Sequence, residues 1–379
     1  MKYSLLVLSL ILGCASLACE RENGVNEMES ITPTTIVSGL NHPWGMTFLD
    51  ANTFLVTERN GGIQYFDGNK LTEIAHDLDV VQEGQGGLLD IAIAPDYEQT
   101  GYIYMTYAKR ITASNSTTAL VRFRFDGNQI SDIEELFMAL PAVSNPVHYG
   151  SRIAFDEAGH VYMTLGDRYT YDAASDIPDV FQALPQTLDN HWGKVVRLNL
   201  DGSIPSDNPF VGQADAQEEI YTYGHRNPQG IAYDPDQQAI VINEHGAQGG
   251  DEINLLTAGS NYGWPVITYG KDYNNRSIGL GTSRSGIEQP LLYWDPSLAP
   301  SSMAYYIGDR YPNWSGQWFV STLAGETLVR LSWDGSTLVE EARLFRRELG
   351  RIRAVVASPE GLLYLLVDSS NGQVVQLSI

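Results

Sequence analysis

From about residue 34 to the end of the chain, short apolar runs alternate with polar turn residues, and the alternation has a recurring order. Each unit carries an apolar strand, a turn rich in Pro, Asp or Gly, and a second apolar strand. The units read GMTFLDANTFLVTE (45–58), LLDIAIAPDYEQTGYIYMTYA (88–108), SRIAFDEAGHVYMTLGD (151–167), QGIAYDPDQQAIVINEHG (229–246), SSMAYYIGDRYPNWSGQWFVSTLAG (301–325) and RAVVASPEGLLYLLVD (353–368). Third strands follow in most units, as GGIQYFDG, ALVRFRFDG, GKVVRLNLDG, TLVRLSWDG and QVVQLSI. Several of these end in Asp-Gly, a tight-turn pair.

Six like-ordered units predict an all-β fold, a six-bladed β-propeller of four-stranded antiparallel blades, over residues 31–379. The last unit runs out of residues after its third strand. TTIVSGL (34–40) is expected to supply the missing outer strand and close the ring, which hides two strand edges. A pair of β-sandwiches is the alternative, but it leaves the six like-ordered copies unexplained. In a propeller the innermost strands end near one axis, so residues at equivalent ends of distant units converge. The longest insertions, residues 168–192 and 265–300, are expected to build around the binding face.

Composition supports a β-rich chain with a large core: 379 residues, 43% hydrophobic and 18% charged, with 21 Tyr and 36 Gly. The net charge of −23 argues against nucleic acid or an anionic membrane surface as a partner, and it makes every local cluster of Arg informative. The N-terminus, MKYSLLVLSLILGCASLAC, has one Lys, an apolar run too short to span a bilayer, and small residues before a Cys. It predicts a signal peptide over residues 1–18, of lipoprotein type, with a flexible tether over 19–30. Both cysteines, Cys14 and Cys19, lie here; Cys19 is favoured as the lipid-bearing residue, and the domain that follows carries no disulfide. The expectation is an exported protein, periplasmic or held to a membrane through an N-terminal lipid. A plain secreted protein with an incidental Cys is the alternative.

Collecting polar residues at the unit boundaries gives one set. Gln85 stands before the second unit, His148 before the third and Asp167 after its second strand. Arg226 and Asn227 stand before the fourth unit, Gly246 and Ala247 after it, and Arg351 and Arg353 flank the start of the sixth. Arg351 and Arg353 are two apart and hence on one strand face. Guanidinium groups pair bidentately with carboxylates, so the Arg set suits a polycarboxylate ligand. His148 could take a proton from a substrate hydroxyl, and Asp167 could orient the imidazole. The bare backbone carbonyls of Gly246 and Ala247 are hard oxygen ligands suited to Ca²⁺. No dinucleotide fingerprint, zinc, haem or iron–sulfur spacing, or nucleophile elbow is present.

HPWGM, GQGGLLDIAIAPDY, HYGSRIAF, YGHRNPQGIAYDP, EHGAQGGDEINLLTAGSNYGWP and RIRAVVASPEGLLYLL, in that order from His42 onward, resemble the soluble quinoprotein glucose and aldose sugar dehydrogenases, the glucose/sorbosone dehydrogenase family. The resemblance implies pyrroloquinoline quinone (PQQ) and Ca²⁺ on the propeller axis, and oxidation of an aldose to its lactone. It implies His148 as general base supported by Asp167, with Gln85, Arg226, Asn227, Arg351 and Arg353 at the quinone and the Gly246 and Ala247 carbonyls at the calcium. Electrons would leave to a separate external acceptor. Three positions depart from the glucose-specific members: Ala324 replaces a Lys that contacts the cofactor carboxylates, Val147 replaces an Asp before the base, and Ala354 replaces an acid after the paired Arg. Ala324 favours the broader aldose branch, and Val147, which adds no negative charge beside the imidazole, is expected to leave the base somewhat less basic. A Ca²⁺-dependent, lactonase-like propeller hydrolase and a non-catalytic sugar-binding propeller are the alternatives; the first requires a ring of carboxylates and Asn that this sequence does not offer.

Overall fold

The computed structural model describes residues 31–170 and 180–379. The predicted signal peptide and tether, with Cys14 and Cys19, lie outside the described residues, as does part of the first long insertion. The strands form six separate four-stranded antiparallel sheets. Blade 1 spans residues 43–74, blade 2 residues 88–138, blade 3 residues 153–223, blade 4 residues 228–294 and blade 5 residues 300–344. Blade 6 takes three strands from residues 352–378 and its fourth from the N-terminal strand Thr32–Leu40. That strand pairs with Gly372–Ser378, Thr32 opposite Ser378 and Leu40 opposite Gly372, so the ring closes as the sequence predicts. The sandwich alternative is excluded by the six unlinked sheets. Helix is confined to Tyr97–Thr100 and two single 3₁₀ turns among the described residues.

The innermost strands are buried on both faces, as Pro43–Phe48 shows along its whole length. The core therefore lies between blades, as a cluster at each junction. One cluster joins Met46 and Phe54 of blade 1 to Ala354 and Leu366 of blade 6. Another joins Leu55 and Ile63 to Ile91 and Met105 of blade 2, and further clusters continue round the ring. Burial of apolar side chains between neighbouring sheets thus fixes the radial order, each side chain contributing about 1.5–3 kcal/mol. Threonine hydroxyls on second strands stitch neighbouring blades: Thr57 to the Leu89 carbonyl, Thr106 to that of Ser151 at 2.7 Å and Thr164 to that of Pro228 at 3.1 Å.

One ion pair plugs the axis. The buried Arg152 guanidinium donates to Asp90 Oδ1 at 2.8 Å and to the carbonyls of Arg353 at 2.8 Å, Gln229 at 2.9 Å and Trp44 at 3.3 Å. It also lies over the Trp44 ring, 4.0 Å from its centroid. Five blades are thereby tied to one cation. Burial pushes the Asp90 carboxyl up, against the pull of Arg152. Strand ends on one side of this plug carry the candidate residues; alanines such as Ala92, Ala154 and Ala232 line the channel on the other side.

Candidate active site

Register places the candidate residues together. First strands begin, and second strands end, on the same face, as Pro43 opposite Glu58, Pro228 opposite Glu244 and Ile352 opposite Val367 show. Trp44, Arg59, Gln85, Asn227, Arg351 and Arg353 line a cavity of about 210 Å³ on the axis. Arg226 borders two small recesses beside it, one shared with Gly246 and the other with Ala247. His148 and Asp167 connect directly to this wall: the His148 N–H donates to Gln85 Oε1 at 2.8 Å, and the Asp167 N–H to the Arg226 carbonyl at 2.7 Å. All nine sequence-predicted residues therefore belong to one contiguous region.

His148 is 7% exposed and has φ 54°, in the left-handed region that a non-glycine residue seldom adopts. A neighbouring glycine permits that placement: a Cβ on Gly166 would lie 2.2 Å from the His148 carbonyl oxygen. The imidazole Nδ1 meets Asp167 Oδ1 at 2.7 Å. Asp167 Oδ1 also accepts the Tyr169 N–H at 2.8 Å, and Oδ2 accepts the Trp264 indole N–H at 2.8 Å. Burial works to raise the Asp167 carboxyl, but His148, Arg226 and the Tyr169 N–H outweigh it and hold it below the usual carboxylate range. An anionic Asp167 fixes the proton on Nδ1 and leaves Nε2 of the neutral ring as the acceptor. Burial, with the Arg226 charge, lowers His148 below its ordinary value, and Asp167 opposes them. The imidazole is thus neutral near pH 7 and able to take a proton.

Arginines dominate the rest of the wall. Arg353 donates to Asp368 Oδ2 at 3.0 Å and to Gln229 Oε1 at 3.3 Å; Arg351 lies 3.7 Å from the same carboxylate oxygen. The strand Ile352–Ala357 starts after Arg351 and has a register shift between Ile352 and Ala354, so the two arginines do not share a strand face as their spacing predicts; both nevertheless reach Asp368 and line the cavity. Burial brings Arg353 down to about 10, with Asp368 acting against it. Arg226 lies 5.3 Å from the Trp264 ring centroid, and its guanidinium donates to the Gly246 carbonyl. The buried Nε atoms of Arg226 and Arg353 have no acceptor among the described residues. Such donors suit an anionic ligand, so the cavity fits a polycarboxylate. Among the described residues no group of three or more His, Cys, Asp or Glu is placed to hold a metal; the Gly246 and Ala247 main chain borders the recesses beside Arg226 and offers carbonyl oxygens to a cation. The Gly246 carbonyl would have to exchange Arg226 for that cation.

Several participants escaped the sequence reading. Asp368, which binds both arginines and His42 Nδ1 at 2.7 Å, is a single Asp at the end of the sixth unit. Glu244 accepts the Arg226 N–H at 2.7 Å and meets His225 Nδ1 at 2.9 Å. Trp264 lies in the GSNYGWP stretch, but nothing local ties it to Asp167. The departures also find places: Ala354 is buried among apolar residues, where an acid would be unpaired, and Ala324 is exposed beyond Leu323.

A propeller whose channel mouth joins a buried His–Asp pair to an arginine-lined cavity has the make-up of an enzyme that removes a proton beside a bound anionic ligand. The chain belongs to the glucose/sorbosone dehydrogenase family, whose description matches residues 40–376. It is 37% identical over 346 residues to the aldose sugar dehydrogenase YliI of Escherichia coli K12, covering 89% of this chain and 90% of that protein. Its fold is similar to the apo-form soluble aldose sugar dehydrogenase of Escherichia coli, with a TM-score of 0.85, 35% identity, and coverage of 92% of this chain and 99% of that one. The PQQ-bound aldose sugar dehydrogenase of Streptomyces coelicolor is similar with a TM-score of 0.72, 27% identity, and coverage of 92% and 98%.

Proposed function

We propose that the protein oxidises the anomeric hydroxyl of aldose sugars to the lactone, using PQQ and Ca²⁺ in the channel cavity and an external electron acceptor. The observation that carries this reading is the junction of a neutral, Asp167-oriented His148 with an arginine-lined cavity holding unsatisfied guanidinium donors. When bound, PQQ supplies a carbonyl that accepts two electrons as hydride, and Ca²⁺ polarises it.

The chain's own residues then do four things. Arg226, Arg351 and Arg353 hold the cofactor's carboxylates, with Asn227 and Gln85 as polar neighbours on the same wall. The Gly246 and Ala247 carbonyls supply oxygens to the cation. His148 Nε2 accepts the hydroxyl proton while the C1–H pair of electrons leaves the sugar and the C1–O bond becomes double. Asp167 keeps the proton on Nδ1 and stabilises the imidazolium so formed. The proton then returns to solvent and the electrons to the external acceptor, which closes the cycle. The predicted signal and Cys19 support an exported protein with an N-terminal lipid tether.

The test is reconstitution of cofactor-free protein with PQQ and Ca²⁺, followed by dye reduction with a panel of aldoses. Dye reduction that needs PQQ and an aldose is expected. PQQ binding without any sugar oxidation would remove the enzymatic reading.

A further inference from the structure

In blades 4, 5 and 6 the residue just past the end of the second strand faces the site, and in blade 3 it is the second residue past the end that does so. Gly166 precedes Asp167 in blade 3, His245 and Leu323 line the cavity from blades 4 and 5, and Asp368 binds Arg351 and Arg353 from blade 6. The blade 1 member of this set is Arg59, directly after the strand Phe54–Glu58. It lines the same cavity, is partly buried, and its guanidinium has no hydrogen-bond or ion-pair partner among the described residues. Its stem lies against the entry to blade 2: a Cβ on Gly87 would sit 2.7 Å from Arg59 Cγ and 2.2 Å from its carbonyl oxygen, so only glycine permits this approach.

The charge balance sharpens the point. Arg351 and Arg353 share the Asp368 carboxylate, so the pair is already partly neutralised. Blade 5 contributes Ala299 and Leu323 to the lining and no charge. Arg59 is therefore the lining cation that no carboxylate of the described chain offsets. A guanidinium held at a cavity wall without a protein acceptor is a binding group for an anion.

We infer that Arg59 is a further ligand-binding residue of this cavity, contacting a carboxylate of the cofactor from the blade 1 side. This rests on the PQQ reading above. The test titrates PQQ, with Ca²⁺ present, into the cofactor-free full-length protein and follows tryptophan fluorescence, since Trp44 lines the same cavity. Removal of one charge-assisted bond should raise the Kd of Arg59→Gln roughly ten- to a hundredfold. Arg59→Lys should keep part of the affinity, and the salt dependence of binding should be shallower in Arg59→Gln than in the parent protein. The thermal midpoint should not change, because the guanidinium has no protein partner and glutamine keeps the Cβ–Cγ stem beside Gly87. An unchanged Kd in Arg59→Gln, with a weakened one in Arg353→Gln, overturns the role of Arg59 and leaves the cofactor reading intact. Failure of the parent protein itself to bind PQQ overturns that reading, and this inference with it.

Discussion

Asp167→Asn removes one charge and no volume, and its consequences are set by the hydrogen bonds around the side chain. Three donors converge on the carboxylate: His148 Nδ1–H and the Tyr169 N–H on Oδ1, and the Trp264 indole N–H on Oδ2. An amide has one acceptor oxygen. Placed toward His148 and Tyr169, it leaves its NH₂ facing the Trp264 N–H. Placed toward Trp264, it clashes with the Tyr169 N–H and forces His148 to present Nδ1 as acceptor, which puts the proton on Nε2, the wrong nitrogen. The first arrangement leaves fewer donors opposed, so it should prevail and keep the useful tautomer. Its cost is one opposed pair of buried donors, about 1–3 kcal/mol of folding stability. Catalysis loses a charge-assisted bond to the imidazolium that forms as the proton arrives. That bond is worth about 1.5–3 kcal/mol, roughly a ten- to 150-fold fall in kcat. The assay is dye reduction by the PQQ- and Ca²⁺-loaded protein at saturating aldose, with urea unfolding in parallel. Trp264→Phe added to Asp167→Asn removes the opposing donor and should recover part of the lost stability without restoring kcat. An Asp167→Asn protein with undiminished kcat would refute the assignment of Asp167 as the group that stabilises the imidazolium.

The same geometry sets four further outcomes. His148→Ala should retain PQQ affinity and lose most turnover; unaltered turnover would remove His148 as base. Because burial lowers His148 beneath its ordinary 6.5, the neutral base persists to lower pH; kcat/KM should stay level as pH falls through 6.5 and drop only below it, and an acid limb centred above 6.5 would contradict the environment described. Arg152→Met breaks the buried pair with Asp90 and strands the carbonyl acceptors around it, so urea unfolding should show a loss of about 3–5 kcal/mol, and a loss under about 1 kcal/mol would show that the axial plug is not structural. Removal of residues 32–40 uncovers the edge of Gly372–Ser378 and the apolar contacts of Val37 and Leu40; a drop of roughly 3–6 kcal/mol or self-association is expected, and an unchanged monomeric unfolding curve would speak against closure by this strand.

The propeller was legible because its signal repeats: six apolar pairs in one order carry the blade count, and the shortfall after QVVQLSI points to the strand that closes the ring. That the nine candidate residues lie together was legible for a related reason, since strand ends in a propeller face one axis. What stayed hidden depends on pairings across the ring. Arg152 and Asp90 are 62 residues apart and look like unrelated charges until the channel brings them to 2.8 Å. Asp368 is a lone acid in the sequence, and only ring closure sets it beside His42 as well as Arg351 and Arg353. Trp264 was visible within its motif, but its indole reaches Asp167 across 97 residues. Arg59 carried no signal at all, because an Arg after a strand is ordinary until the cavity beside it is known.

The central claim is that C1 of an aldose gives up its hydrogen in this cavity while His148 takes the hydroxyl proton. It is tested most directly with an aldose deuterated at C1, oxidised by the PQQ- and Ca²⁺-loaded protein with an artificial acceptor and analysed by mass spectrometry. A lactone that has lost the C1 deuterium is predicted, formed in step with acceptor reduction and nearly absent with His148→Ala. A product that retains the label, or acceptor reduction without lactone, would contradict it.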